Sequence, residues 1–148
     1  MARIVSVRSG PALYDQIVSV GPHVFHADEP TDVGGKDTGP NPYDLLLAAL
    51  GTCTAMTVQM YAARKQWPLE SVQVNLSHSR VHAQDCAECE NRTGTVDRIE
   101  LWIAFTGALT EDQERRLLEI ANKCPVHQTI VSGAQINARL LNADSAAL

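Results

Sequence analysis

Two stretches of the sequence place a cysteine where its thiol could react. The first is A-A-L-G-T-C-T-A-M-T-V-Q-M, residues 48–60, which carries no charge and holds Cys53 near its middle. The second is K-C-P-V-H, where Pro125 and His127 follow Cys124. A thiolate attacks electrophiles and can be oxidised to a sulfenic acid, whereas a cysteine on an apolar helix usually serves only for packing. Both interpretations are open for Cys53.

A reactive Cys53 would need a cation supplied by another part of the fold. Because this cysteine lies in the middle of a predicted helix, the partial positive charge at the helix N-terminus is too distant to stabilise its thiolate. The candidate cations are Arg8, Lys36 and Arg64. Arg64 is a poor candidate because it lies about three turns away along the same helix.

Cys124 occupies a different kind of position. One helix is predicted to end at Cys124, and Pro125 is a residue that commonly opens another, so Cys124 can be the N-cap of the second helix. The free N–H groups of that helix and the adjacent Lys123 would favour a thiolate, and His127 lies within reach on one helical face. A capping cysteine beside a solvated histidine is the alternative.

A third motif, H-x3-H-x3-C-x2-C, brings four possible zinc ligands into twelve residues. They are His78, His82, Cys86 and Cys89. On a strand the two histidines share a face, so a tetrahedral zinc site is geometrically possible. Short spacings of this type also arise by chance, and the segment is typical of a hairpin loop. A zinc-stabilised fold is therefore an alternative, and no metal or cofactor is the main expectation.

The first elements follow from turn residues and hydrophobic periodicity. Short strands are predicted over residues 4–9, 14–20 and 23–27, followed by a loop rich in Gly, Pro and Asp. Asn41 as N-cap and Asp44 in the first turn open a helix that runs to about residue 65. Apolar residues on that helix recur at steps of three and four, which predicts a stripe formed by Leu46, Ala49, Cys53, Met56 and Met60.

The second half of the chain predicts two strands, two helices and a last strand. Residues 70–82 and 99–105 alternate as strands, Thr110 and Gln113 form a capping box, and short helical and strand segments follow over 125–131 and 135–141. On the first of these strands one face is expected to carry Val72, Val74, Leu76, His78, Arg80 and His82. The order of elements predicts an α+β protein with one domain, residues 1–148.

Composition excludes several classes of protein. Charged residues make up 20% and apolar residues 45% of the 148, which is neither a disordered nor a membrane composition. The formal net charge of -5 argues against nucleic acid as a partner. The uncharged run 45–60 is shorter than the ~20 residues of a membrane span, and the N-terminus lacks a signal peptide pattern. We therefore expect a cytoplasmic protein with reduced cysteines.

The run G-P-N-P-Y-D-L-L-L-A-A-L-G-T-C-T-A-M-T, together with C-P-V-H, resembles the OsmC/Ohr family of osmotically induced and organic-hydroperoxide-resistance proteins. The closest resemblance is to the branch of OsmC-like proteins with the C-P-V-H motif, and it extends from the D-E-P loop to the final strand. It implies antiparallel sheets packed on a long central apolar helix in an intertwined homodimer, with two active sites at the subunit interface.

The resemblance also implies roles for individual residues. Cys53 corresponds to the peroxidatic thiol and Cys124 to the resolving thiol, while Arg8 best matches the arginine that pairs with the reactive thiolate. The peroxidases of the family carry a glutamate ten residues before the reactive cysteine; Tyr43 stands there in this chain, so the clamp on the arginine falls to Asp44 or is not made. The implied activity is reduction of organic hydroperoxides, with a dithiol as reductant.

Two functions of different classes are therefore candidates for this protein. The leading one is a thiol-dependent peroxidase that forms a sulfenic acid on Cys53 and a disulfide with Cys124. The alternative is a binding protein that holds a small apolar ligand at the dimer interface while Cys53 stays inert. Slow reaction of Cys53 with peroxide would favour the second.

Overall fold

The computed structural model describes residues 3–82, 85 and 94–141. Three strands, a long helix, two longer strands and two shorter helices follow one another, which confirms the predicted α+β class. The chain divides into two compact units, one running up to Leu45 and joined by the segment from Gln135, the other spanning Leu46–Ala134. The assignment of the whole chain to one domain stays a prediction.

The first unit contains a three-stranded antiparallel sheet in the order β1 (Val5–Ser9), β2 (Gln16–Val20) and β3 (His23–Ala27). β2 starts two residues later than predicted, because residues 10–15 close a turn with a hydrogen bond from the Gly10 N–H to the Asp15 carbonyl. Since alternate residues share a face, one side of the sheet is apolar. The apolar residues on this side are Val5, Val7, Val18, Val20 and Phe25. Val5, Val7 and Phe25 are exposed.

The loop between β3 and the long helix is organised around the buried carboxylate of Asp28. This carboxylate accepts hydrogen bonds from the backbone N–H groups of Glu29, Lys36 and Thr38 and from the Thr38 hydroxyl. Burial by itself raises the pKa of Asp28, but the hydrogen bonds from Thr38, Glu29 and Lys36 together outweigh it. The pKa of Asp28 consequently lies below its ordinary value of 3.8.

Helix α1 spans Pro42–Lys65 and begins as predicted. The Asn41 side chain accepts the Asp44 N–H at 2.8 Å, and the Asp44 carboxylate accepts the Asn41 N–H at 2.9 Å, so two free donors at the helix start are satisfied reciprocally. The helix ends where Gln66 takes a left-handed φ of 55° ahead of Trp67-Pro68. α1 is long and apolar enough to cross a membrane, but the core helices of soluble proteins often meet the same two criteria.

The second unit is built on a long hairpin of β4 (Leu69–His82) and β5 (Thr95–Gly107). The inner face of the hairpin is the predicted one and packs, through Val72, Ile103 and Phe105, against Val58 and its core neighbours. At Gly51 a Cβ atom would lie 2.8 Å from the Leu76 Cδ1, so glycine lets this side chain approach the helix backbone.

Two helices complete the second unit. α2 (Glu111–Ala121) starts with the predicted Thr110–Gln113 capping box, and α3 (Pro125–Ser132) follows after three residues. Leu117 of α2 is fully buried and joins Val58, Ala62 and Ala121 in the core cluster. α2 therefore covers part of α1.

The predicted last strand over residues 135–141 is wrong for this structure. No residue from 134 to 141 belongs to a strand, and Ile136 and Leu140 are 90% and 94% exposed. The alternation of apolar and polar residues is present, but a strand also requires a neighbouring edge that accepts its backbone hydrogen bonds. Among the described residues no strand pairs with this segment.

Candidate active site

Helix α1 presents two apolar sides, and only one of them is buried within the chain. Residues at steps of four form the buried side, namely Leu50, Thr54, Val58 and Ala62. Most of the stripe predicted from the sequence lies on the other side, where Met56 and Met60 are 66% and 49% exposed. Leu46, one turn before Leu50, is 38% exposed. Cys53 belongs to that stripe and is half-buried. The helix is therefore apolar nearly all round, as expected for a helix covered on more than one side.

Cys124 is the N-cap of α3, as predicted. Its backbone is extended, Pro125 takes the first helical position, and the His127 N–H donates a hydrogen bond to the Cys124 Sγ at 3.2 Å. The cysteine is fully buried, with an exposed fraction of 0%. Its sulfur thus lies at a helix N-terminus and is shielded from water.

Thr54 links Cys124 to helix α1, and sequence reasoning missed it. Its hydroxyl lies 2.8 Å from the Leu50 carbonyl oxygen and 3.6 Å from the Cys124 Sγ, and its exposed fraction is 0%. Leu50, Thr54 and Val58 follow one another at steps of four. This spacing could have identified Thr54 as a polar residue in the middle of the buried side. Cys124 therefore packs against the residue that follows Cys53.

Cys53 and Cys124 are both free thiols. Consecutive side chains on a helix point about 100° apart, so Cys124 lies on the Thr54 side of α1 while Cys53 faces the partly exposed side. Over residues 3–82, 85 and 94–141, no hydrogen bond or ion pair reaches the Cys53 sulfur; its carbonyl accepts the Thr57 hydroxyl at 2.7 Å. Cys124 thus contacts the residue that follows Cys53 in the chain, and no disulfide joins the two cysteines.

The two predicted charged site residues both lie in the first unit. Arg8 is exposed in β1, opposite Ile17, and Cys53 belongs to the second unit, so their pairing stays a prediction. Asp44 is exposed and uses its carboxylate to cap α1. A clamp on Arg8 would have to share that carboxylate with the Asn41 N–H. Lys36, another cation of this unit, is also exposed.

A cavity of about 290 Å³ lies in the second unit beside the buried side of α1. Its polar groups are His127 and Asp97, and its apolar lining consists of Leu50, Ile99, Leu101, Ile130 and Val131. Of these lining residues, Leu50 lies one turn before Cys53 on α1, and the backbone of His127 binds the Cys124 sulfur. The alternation of apolar residues in β5 predicted that Ile99 and Leu101 share a face, but the cavity also requires the lining residues that α3 contributes.

His78 of the zinc hypothesis is bound to a carboxylate in this structure. Its Nε2 lies 2.8 Å from the Asp97 Oδ1, and the Arg80 Nε donates to the same oxygen at 3.2 Å. These hydrogen bonds, that of His78 first, hold the pKa of Asp97 below its ordinary value. Of the other proposed ligands, His82 is exposed at the end of β4, and Cys86 and Cys89 lie outside the described residues, so the zinc site stays a prediction. Within the described part of the chain, no three metal-ligating side chains form a group.

Solved structures with the same fold cover most of the chain. An organic hydroperoxide resistance protein OsmC of Legionella pneumophila is 20% identical, with 88% of this chain and 89% of that chain covered and a TM-score of 0.65. An OsmC-like protein of Mycoplasma pneumoniae is 16% identical, with 88% of each chain covered and a TM-score of 0.69. OhrB of Bacillus subtilis, an organic hydroperoxide resistance protein, is 18% identical, with coverage of 87% and 90% and a TM-score of 0.60.

Comparison of the sequence itself gives the family. None of the curated proteins matches the chain. The family model described as OsmC-like protein matches residues 35–139, a segment that includes both Cys53 and Cys124 and more than half of the chain. The chain belongs to the OsmC-like protein family.

Proposed function

We propose that this protein is a thiol-dependent peroxidase that reduces organic hydroperoxides. The Cys53 thiolate attacks the outer oxygen of the peroxide, so an S–O bond forms and the O–O bond breaks; the leaving alkoxide becomes an alcohol with the proton that the Cys53 thiol gave up. The Cys124 thiolate then attacks the Cys53 sulfenic acid, which forms the disulfide and releases water once the leaving hydroxide takes up a proton. A cellular dithiol reduces the disulfide and restores both thiols.

The observation that carries the proposal is the position of Cys124 against α1. It is separated from Thr54 by 70 residues in sequence, yet its sulfur packs on that side chain, next to the half-buried Cys53. This contact supports a resolving role for Cys124, because Thr54 follows Cys53 on the same turn of α1. The names of two structural neighbours, both organic hydroperoxide resistance proteins, support an organic hydroperoxide as the substrate.

The cavity beside Leu50 supports an alkyl hydroperoxide as substrate in preference to hydrogen peroxide. Five of its seven lining residues are aliphatic, and its volume of about 290 Å³ has room for a short hydrocarbon chain. Each methylene that enters such a site contributes about 0.8 kcal/mol, which hydrogen peroxide cannot supply. The thiol chemistry requires neither a metal nor an organic cofactor.

The charged part of the proposed site consists of Arg8 and Asp44. Cys53 is far from the N-terminus of α1, and a thiolate there requires a nearby cation. We assign that role to Arg8 and the role of holding its guanidinium to Asp44, whose carboxylate would then serve both the helix cap and the arginine.

The proposed working form is a homodimer in the cytoplasm. The apolar side of α1 formed by Leu46, Met56 and Met60 is exposed in the single chain, and so are apolar residues of the β1–β3 sheet. Exposed apolar patches of this kind mark interaction surfaces. A second copy of the chain can cover them, and a reducing compartment keeps the cysteines ready for reaction.

The experiment that tests the function compares two cysteine variants by mass spectrometry after one equivalent of cumene hydroperoxide. Cys53→Ser should lose the first oxidation, because a serine hydroxyl is a poor nucleophile without a strong base. Cys124→Ser should still be oxidised at Cys53 but should stop at the sulfenic or sulfinic acid, since no partner thiol condenses with it. Oxidation of Cys124 at the wild-type rate in Cys53→Ser would reverse the two roles.

A second candidate function is the binding of a small apolar ligand, and the same cavity is the observation that favours it. In that case Cys53 is an inert packing residue. No oxidation of either cysteine at millimolar peroxide, together with a tightly retained lipid-like molecule in the purified protein, would favour binding over catalysis.

A further inference from the structure

Thr54 is a fully buried polar residue whose hydroxyl contacts the sulfur of Cys124 at 3.6 Å. The same hydroxyl lies 2.8 Å from the Leu50 carbonyl oxygen, one turn earlier on α1. The second partner of the Cys124 sulfur is the His127 N–H at 3.2 Å. Within the described residues, the sulfur thus has one fixed donor and one hydroxyl that can either donate or accept.

A hydroxyl carries a single hydrogen, so Thr54 cannot donate fully to both neighbours at once. While the hydrogen points to the Leu50 carbonyl, the lone pairs of the hydroxyl oxygen are available to accept the S–H of Cys124. When Cys124 loses its proton, rotation of the same hydroxyl lets it donate to the sulfur. The arrangement therefore fits both protonation states of Cys124 without moving the backbone.

We propose that Thr54 is a positioning residue for the second step of the reaction, in which Cys124 attacks the Cys53 sulfenic acid. Its hydroxyl holds the thiol against α1 in the resting protein and donates to the thiolate that attacks. This inference rests on the proposed peroxidase function. In the step an S–S bond forms, the S–O bond of Cys53 breaks, and the hydroxide that leaves becomes water with the proton given up by Cys124.

Burial makes this hydroxyl important for the step. The exposed fraction of Cys124 is 0%, so water cannot solvate a negative sulfur, and a buried charge is costly unless hydrogen bonds replace its solvation. Only the Thr54 hydroxyl and the His127 N–H reach the sulfur among the described residues. A hydrogen bond to a charged group is worth enough that its loss should slow the step by about tenfold or more.

The test compares Thr54→Val, which removes the hydroxyl at nearly constant shape, with Thr54→Ser, which keeps it. The full chain is treated with one equivalent of cumene hydroperoxide, and two rates are followed: formation of the Cys53 sulfenic acid, trapped by a sulfenic-acid reagent, and formation of the Cys53–Cys124 disulfide, read from non-reduced peptides. Thr54→Val should keep the first rate within about twofold of wild type and slow the second by about tenfold or more. Thr54→Ser should restore the second rate.

Each other outcome overturns the inference in a recognisable way. Disulfide formation at the wild-type rate in Thr54→Val overturns the role of Thr54 and leaves the peroxidase function standing. An equal slowing in Thr54→Ser would mean that packing, and not the hydroxyl, is responsible. No oxidation of Cys53 in the wild-type protein overturns the peroxidase function, and the inference with it. Should Thr54→Val not fold by circular dichroism, Thr54→Ala replaces it under the same criteria.

Discussion

The exposed apolar side of helix α1 gives the most direct test of the proposed dimer, through the substitution Met56→Glu. Met56 is 66% exposed in the single chain. Full burial of a methionine side chain contributes roughly 1.5–3 kcal/mol, so covering two-thirds of it contributes about 1–2 kcal/mol in each copy. A twofold dimer contains the residue twice, so the substitution should reduce the free energy of association by about 2–4 kcal/mol. Burial of the new glutamate charge would weaken association further.

That loss corresponds to a dissociation constant roughly 30- to 700-fold weaker than that of the wild type, since each 1.4 kcal/mol is a factor of ten. Sedimentation velocity over a micromolar dilution series measures the change. Leu118→Glu is the matched control, because Leu118 is 50% exposed on α2 and lies outside the stripe. Circular dichroism verifies that both variants are folded. An unchanged dimer in Met56→Glu, or a folded wild-type monomer at these concentrations, would refute the reasoning.

Two further predictions concern charged residues of the first unit. Arg8→Ala should slow the oxidation of Cys53 by peroxide more than Lys36→Ala does, because the thiolate needs a side-chain cation; equal stopped-flow rates for Arg8→Ala and wild type would remove Arg8 from the site. Asp28→Asn should lower the free energy of unfolding at neutral pH, since the carboxylate binds several donors. Because the pKa of Asp28 is lowered in the folded state, its stabilisation is present above the ordinary value of 3.8 and is lost as the pH falls through the lowered pKa. The difference between Asp28→Asn and wild type in urea unfolding should therefore shrink in acid, and a difference that persists at low pH would contradict this assignment.

Features that depend on neighbouring residues in the chain were predictable from the sequence. The start of α1 at Asn41 and Asp44 and the capping box at Thr110 follow from side chains that bind N–H groups two or three residues away. The same holds for Cys124 as N-cap before Pro125. Such contacts form whatever the rest of the fold does, so residue type and spacing suffice to predict them.

The side of α1 that becomes buried could not be predicted in this way. The helix is apolar nearly all round, so periodicity indicated the stripe with Cys53 as readily as the side with Leu50 and Val58. Within the chain, the hairpin β4–β5 and helix α2 cover the side that contains Val58. Similarly, the alternating segment 135–141 has the pattern of a strand but no described strand to pair with.

The sequence by itself determined the order of the elements from β1 to α3, the two candidate cysteines and the membership in the OsmC-like family, because these depend on local spacing and on motifs. Only the tertiary structure placed Cys124 against Thr54, removed its sulfur from water and formed an apolar cavity lined by Leu50 and His127. Contacts between residues 70 positions apart arise from the packing of whole helices and strands, and no local pattern encodes which side chains then meet.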